Sequence, residues 1–191
     1  MSTVIAYLQL GIHHVLSPDA MDHVLFLLAL AAVYRLAEWR EAVWVVTAFT
    51  AGHSLTLALT VLGVVAPPSA WIEFLIPATI LATCLANLVL ATGDLDPRQA
   101  RRRAGLAVLF GLVHGAGFAG YLSRLLLDEV AWPLLGFNLG IELGQVAVLF
   151  GAGLLFAAVD RLLGARLRLR AAAVSALVGA AALRLSVARW P

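Results

Sequence analysis

The chain of 191 residues carries thirteen arginines, no lysine and 11 acidic residues, for a net charge of +2, and 62% of it is hydrophobic against 13% charged. A soluble domain is about 25% charged, so this composition, with a mean hydropathy of +0.96, excludes one and reads as an integral membrane protein; the arginines sit in loops, not along a nucleic-acid stripe, which excludes that partner too. Cys84 is the only cysteine, which rules out an intrachain disulfide and a zinc-thiolate site.

Residues 1–16 form an apolar run of about 14 residues, short of the roughly 20 that cross the hydrocarbon. No basic residue precedes the run, which argues against a cleaved signal peptide. It reads as a short interfacial or re-entrant helix, with a shortened seventh span as the alternative. The stretch His14-Val15-Leu16-Ser17-Pro18-Asp19-Ala20-Met21-Asp22-His23 follows, against the apolar segment 24–30. Ser17 suits an N-cap, Pro18 the first helical position and Asp19 the positive end of the helix dipole. A helix starting there places Asp19, Asp22 and His23 on one face, a nitrogen and oxygen donor set suited to nickel, cobalt, zinc or iron. The plainer reading is a capped helix start with a bonded Asp-His pair.

Six longer apolar segments, at about 18–36, 41–64, 70–92, 104–126, 133–159 and 170–188, are each near spanning length. Only helices satisfy the backbone of such spans in lipid. The fold class is therefore all-α, a polytopic membrane bundle of six transmembrane helices plus the short N-terminal helix, forming one domain over 1–191. Connections alternate in charge. Arg35 and Arg40 follow the first span, none lies between Val65 and Ala70, and Arg98, Arg101, Arg102 and Arg103 follow the third. Asp128 and Glu129 come next, then Arg161, Arg166, Arg168 and Arg170. The positive-inside rule makes the arginine connections cytoplasmic, with both termini and the His14–His23 stretch outside. Pro67-Pro68 and Asp94-Leu95-Asp96-Pro97 break helices between spans.

Polar residues inside spans are costly and mark function. His53 lies near the centre of the second, with Thr50 and Ser54 at helical spacing. The third carries Glu73 near its outer end, then Thr79, Thr83 and Asn87; the threonines read as bonded to their own backbone, whereas the Asn87 amide needs partners. In the fourth, His114 stands among Gly111, Gly115, Gly117 and Gly120, a composition that permits close packing or local unwinding. The fifth pairs a stripe of Asn138, Glu142 and Gln145 with glycines at 136, 140 and 144 that permit close helix approach. An unpaired Glu142 is either protonated or held charged by a cation. All five histidines, His13, His14, His23, His53 and His114, then lie at the outer mouth or mid-membrane. With Asp22 and Glu142 they mark a route from an outer vestibule to a central site, and the sixth span, with Ser175 and Arg184, completes the scaffold.

Four blocks carry a resemblance: His14–Phe26 with its Asp22-His23 pair, Thr47–Thr56 (TAFTAGHSLT), Phe110–Ala119 (FGLVHGAGFA) and Phe137–Gln145 (FNLGIELGQ). In this order they resemble the successive motifs of the HupE/UreJ family, and the spacer between His14 and Asp22, longer than in the HupE form, resembles the family's second branch. The resemblance implies a small inner-membrane permease for nickel, or cobalt, in the bacterial cytoplasmic membrane, with His14, Asp22 and His23 in the family's His-spacer-Asp-His signature. Asp19–His23 and Gly52-His53-Ser54 are also similar to the larger nickel/cobalt transporter family.

The expected function is a secondary permease, a transporter and not an enzyme, that carries Ni2+ or a similar divalent ion (Co2+, Zn2+ or Fe2+) inward. His14, Asp22, His23, His53, His114 and Glu142 are its metal residues, and His13, Asp19, Ser54, Asn87, Asn138 and Gln145 support them. No Walker motif is present, so the chain spends no nucleotide. Its partners are the bilayer and the metal, with a homo-oligomer left open. Competing readings are an intramembrane hydrolase that holds Zn2+ or Fe2+ with the same histidines and a carboxylate base, and a membrane metal chaperone or sensor.

Overall fold

Among the described residues of the computed structural model, seven α-helices form and no strand does: α1 (Ser2–Leu16), α2 (Met21–Ala31), α3 (Trp39–Val61), α4 (Ser69–Leu90), α5 (Pro97–Leu125), α6 (Ala131–Leu163) and α7 (Leu167–Ala188). The structure describes residues 2–90, 97–126, 130–164 and 166–191, without the side chains of 2, 19, 90 and 97–99. The expected break at 94–96 and the acidic pair Asp128 and Glu129 lie outside these residues, as does the side chain of Asp19. The helices α3 to α7 are long and apolar enough to cross a bilayer, so this is an all-α membrane bundle.

The expected first span, 18–36, takes a different form. Its helix, α2, has only 11 residues, about 16 Å at 1.5 Å per residue against roughly 30 Å of hydrocarbon. Helices α1 and α2 instead meet at a bend of 70° and can together make one broken span. The cause is local. Pro18 has no N–H to give an α-helical ladder, so Pro18–Ala20 form a 3-10 turn closed by Ala20 N to Ser17 O at 3.0 Å. α2 then starts at Met21 with Ala20 as N-cap and no side-chain cap bond. Ser17 is therefore not the N-cap of α2, and Asp19 belongs to the turn, not to a helical face shared with Asp22 and His23.

Glycines set the helix pairs. A methyl group at Gly140 would lie 2.1 Å from the Leu8 carbonyl oxygen, and one at Gly136 would lie 2.5 Å from that of Val4. This backbone-to-backbone contact makes α1 the neighbour for which the glycine face of α6 is shaped. The second pair is α3 with α5, where a methyl at Gly111 would lie 2.1 Å from Phe49 O and one at Gly115 2.1 Å from His53 O. The helix α5 runs unbroken through its glycines, of which Gly111 and Gly115 serve close packing with α3 and Gly120 meets nothing within 4 Å. Gly115→Ala is expected to force α3 and α5 apart, costing about 1–3 kcal/mol and moving His53 against His114. Gly105→Ala, where a methyl meets nothing within 4 Å, serves as the control. Thermal unfolding of both variants in detergent checks the contrast.

The last helix does more than complete the scaffold. Arg170 of α7, buried at 7% exposure, donates to Ala32 O at 3.3 Å, to Tyr34 O at 2.6 Å and to the Asp160 carboxylate. Its guanidinium also lies 5.3 Å from the Phe156 ring. Backbone carbonyls that the end of α2 leaves unpaired are thereby satisfied. At the far end of α7, Arg189 donates to Asp22 Oδ2 at 3.0 Å, so one helix holds both ends of α2.

Candidate metal site

The bend between α1 and α2 carries His14 on the last turn of one helix and His23 on the first turn of the other. α1 lies along the first half of α6, since Val4 meets Gly136 and Val15 meets Gly144. That register brings the break level with the middle of the bundle, where α3 offers His53 and α5 offers His114. Ring centroids of His23 lie 4.8 Å from His14, 6.0 Å from His53 and 5.7 Å from His114. One ligand nitrogen from each of His14, His23 and His53 falls within 4.8 Å of the others. Metal–nitrogen bonds of about 2.1 Å allow two ligands of one ion to be no more than about 4.2 Å apart, so small side-chain rotations close the set on an ion.

The outer station and the central station expected from the sequence are thus one cluster. The bend brings His14 and His23 to His53.

Unpaired nitrogens mark these imidazoles as donors. Among the described residues, both ring nitrogens of His23 and of His53, Nε2 of His14 and Nδ1 of His114 are buried without a hydrogen-bond partner. Buried polar groups are nearly always paired, and leaving one unpaired costs about 1–3 kcal/mol. These six atoms, five of them on the three histidines that could share one ion, form a donor set that a metal ion would satisfy.

His114 has a positioning partner that the sequence reading assigned only to backbone. Thr79 Oγ1 donates to Ile76 O at 2.7 Å and lies 3.0 Å from His114 Nε2. A hydroxyl has one proton, so Thr79 accepts from Nε2–H, which leaves the Nδ1 lone pair of His114 for a ligand. Nothing in the sequence set Thr79 apart from Thr83, which bonds the backbone of its own helix.

The cavity above the cluster measures about 260 Å3, and His14, His23, His114, Asp22, Glu73 and Arg189 all contribute to its lining. Asp22 stands at the site but is engaged by Arg189, with Oδ1 unpaired. Arg189 was not singled out from the sequence, where it is one of three arginines, with Arg124 and Arg184, toward the arginine-poor side of the bundle.

Other expected site residues lie elsewhere. Glu142 accepts from Thr47 Oγ1 at 2.5 Å, and Gln145 Oε1 accepts from Thr50 Oγ1 at 2.7 Å. Both belong to the α3/α6 contact, and Glu142 is not in the histidine group that could hold an ion. Asn138 is half-buried on α6 with Oδ1 unpaired. Asn87 donates to Ala29 O at 2.8 Å and to Ser175 Oγ at 3.2 Å, tying α4 to α2 and α7. His13 is exposed on α1, and Ser54 is half-buried next to His53.

No curated protein and no solved structure matches the chain. A family model described as HupE / UreJ protein matches residues 1–190. With the four ordered blocks of sequence and a match over nearly its whole length, the chain belongs to the HupE/UreJ family.

Proposed function

We propose that this protein is a secondary permease that carries a divalent transition-metal ion inward across the bacterial inner membrane, Ni2+ before Co2+. The observation that carries the reading is the triangle of half-buried His14 with buried His23 and His53, whose nitrogens converge beside a cavity lined by the first two. Three borderline nitrogen donors suit Ni2+, Co2+ or Zn2+ and disfavour the hard ions Mg2+ and Ca2+. Membership of the HupE/UreJ family supports transport. In the orientation set by the arginine connections, the cavity faces outside and both termini lie there. His114, which lines the same cavity and is oriented by Thr79, is a further ligand beside the triangle. Glu73 draws cations into the cavity, where the Asp22 charge is paired with Arg189. Glu142 and Gln145 hold α6 against α3 beside the site.

A divalent ion moving toward a negative interior gains about 4.6 kcal/mol per 100 mV, twice the value for a single charge. That gradient drives uptake without nucleotide. Uptake into proteoliposomes under an inside-negative potential tests the reading: Ni2+ influx that is present in the parent and lost in His23→Ala supports it. Absence of influx, with a tightly held metal lost in the variant, overturns it and supports a metal-dependent hydrolase. Against that second reading, the two carboxylates expected as its base are both engaged, Asp22 by Arg189 and Glu142 by Thr47.

Proton and metal compete for the same imidazole lone pair. Uptake is therefore expected to fall as pH drops at constant potential, with the apparent affinity for Ni2+ weakening before the maximal rate does. Initial rates across Ni2+ concentrations at each pH check this sign.

A further inference from the structure

A second large cavity lies between α2, α3, α4 and α5, and its volume is about 320 Å3. Phe26 closes its inner end and stacks on Phe49 at a centroid distance of 4.7 Å, with His114 at 6.0 Å on the other side. The cavity is thus divided from the metal site by an aromatic pair. Among the described residues no carboxylate and no imidazole lines it, so it lacks the donor set of the metal site.

Its own chemistry is that of an amphiphile site. The walls are mostly apolar, from Leu30 and Val45 to Ala107 and Phe110, and the polar wall residues Thr83 and Asn87 are engaged with Thr79 O and Ala29 O. Ala82 and Leu106, on α4 and α5, are exposed, which opens the cavity sideways to the surface that meets hydrocarbon. At the arginine-bearing end stand Arg102, exposed, and Arg103, half-buried with its guanidinium 5.7 Å from the Tyr34 ring. A concave volume of this size fits an organic ligand, and two guanidinium groups at the cytoplasmic end select an anionic head.

We propose that this cavity binds an anionic phospholipid of the cytoplasmic leaflet. Its phosphate sits on Arg102 and Arg103, and one acyl chain enters between α4 and α5 and ends against Phe26. The site does not depend on the metal reading, because its ligand and its measurement are separate from transport.

Native mass spectrometry of the full chain, released from micelles containing equal phosphatidylglycerol and phosphatidylcholine, tests the proposal. The parent is expected to retain phosphatidylglycerol over phosphatidylcholine on the order of tenfold. The double variant Arg102→Gln/Arg103→Gln is expected to retain the two lipids alike, whereas Arg161→Gln, an exposed arginine of the same end away from the cavity, keeps the parent's preference. Ala82→Trp, at the exposed mouth, is expected to lose the lipid with both arginines in place. Phosphatidylglycerol kept by the double variant overturns the proposal. So does retention by Ala82→Trp, or displacement by an equal concentration of inorganic phosphate, either of which marks a head-group contact without the chain.

Discussion

His53→Leu is expected to abolish metal binding while leaving the metal-free protein as stable as the parent, or more so. The two ring nitrogens of His53 are fully buried and unpaired among the described residues, and each such atom costs about 1–3 kcal/mol. Leucine removes both atoms and keeps an apolar body against Phe49, whose ring centroid lies 6.3 Å from that of His53. Metal affinity moves the opposite way. Losing a partner outside the ligand shell already costs about 10–100-fold, and removing one of three nitrogens costs more. Thermal unfolding with and without Ni2+ separates the effects. At a metal concentration 100 times the dissociation constant, binding stabilises a protein by about 2.7 kcal/mol. That increment should be present in the parent and absent in His53→Leu. A variant that loses stability without metal yet keeps the metal increment would make His53 an ordinary core residue.

Arg170→Ala is expected to be strongly destabilising, at about 3–5 kcal/mol. The substitution strands the Asp160 carboxylate and the carbonyls of Ala32 and Tyr34 at once. The end of α2 then loses its hold on α7, although the other end keeps the Arg189–Asp22 pair. The double variant Arg170→Ala/Asp160→Ala should cost less than the sum of the two single changes, because it removes the stranded charge along with its partner. Unfolding of the four proteins in one detergent measures the coupling, and strict additivity would show that the two residues do not act as a pair.

Much of the helix inventory is legible one residue at a time. Hydropathy marks α3 to α7, and Gly136, Gly140 and Gly144 announce a face for close packing, although nothing local says that its partner is α1. The expected span at 18–36 is the instructive difference. Its average hydropathy is that of a span, but its helix ends at Ala31 after 11 residues, and the other piece of the broken span, α1, lies before Pro18 and across a 70° turn. An average over a window does not register a bend.

The site divides in the same way. Chemistry alone selects His14, His23, His53 and His114, since imidazoles in an apolar chain need a reason. Depth read from chain position, however, separates them into two stations, because it assumes that α1 stays at the surface. Glu142 is the converse case. Its position in a span makes it conspicuous, yet Thr47 on the facing helix engages it. Arg189 and Thr79 are inconspicuous by composition and acquire their roles from Asp22 and His114.

Apolar length, charge alternation and residue chemistry are local and additive, so the linear chain suffices to establish an all-α membrane bundle that carries buried imidazoles. Which polar groups meet depends on helix register, glycine contact and one proline-induced bend. These are set by packing between segments far apart in sequence. The three-histidine triangle, and the Arg170 and Arg189 contacts that hold α2 beside it, therefore emerge only from the folded arrangement.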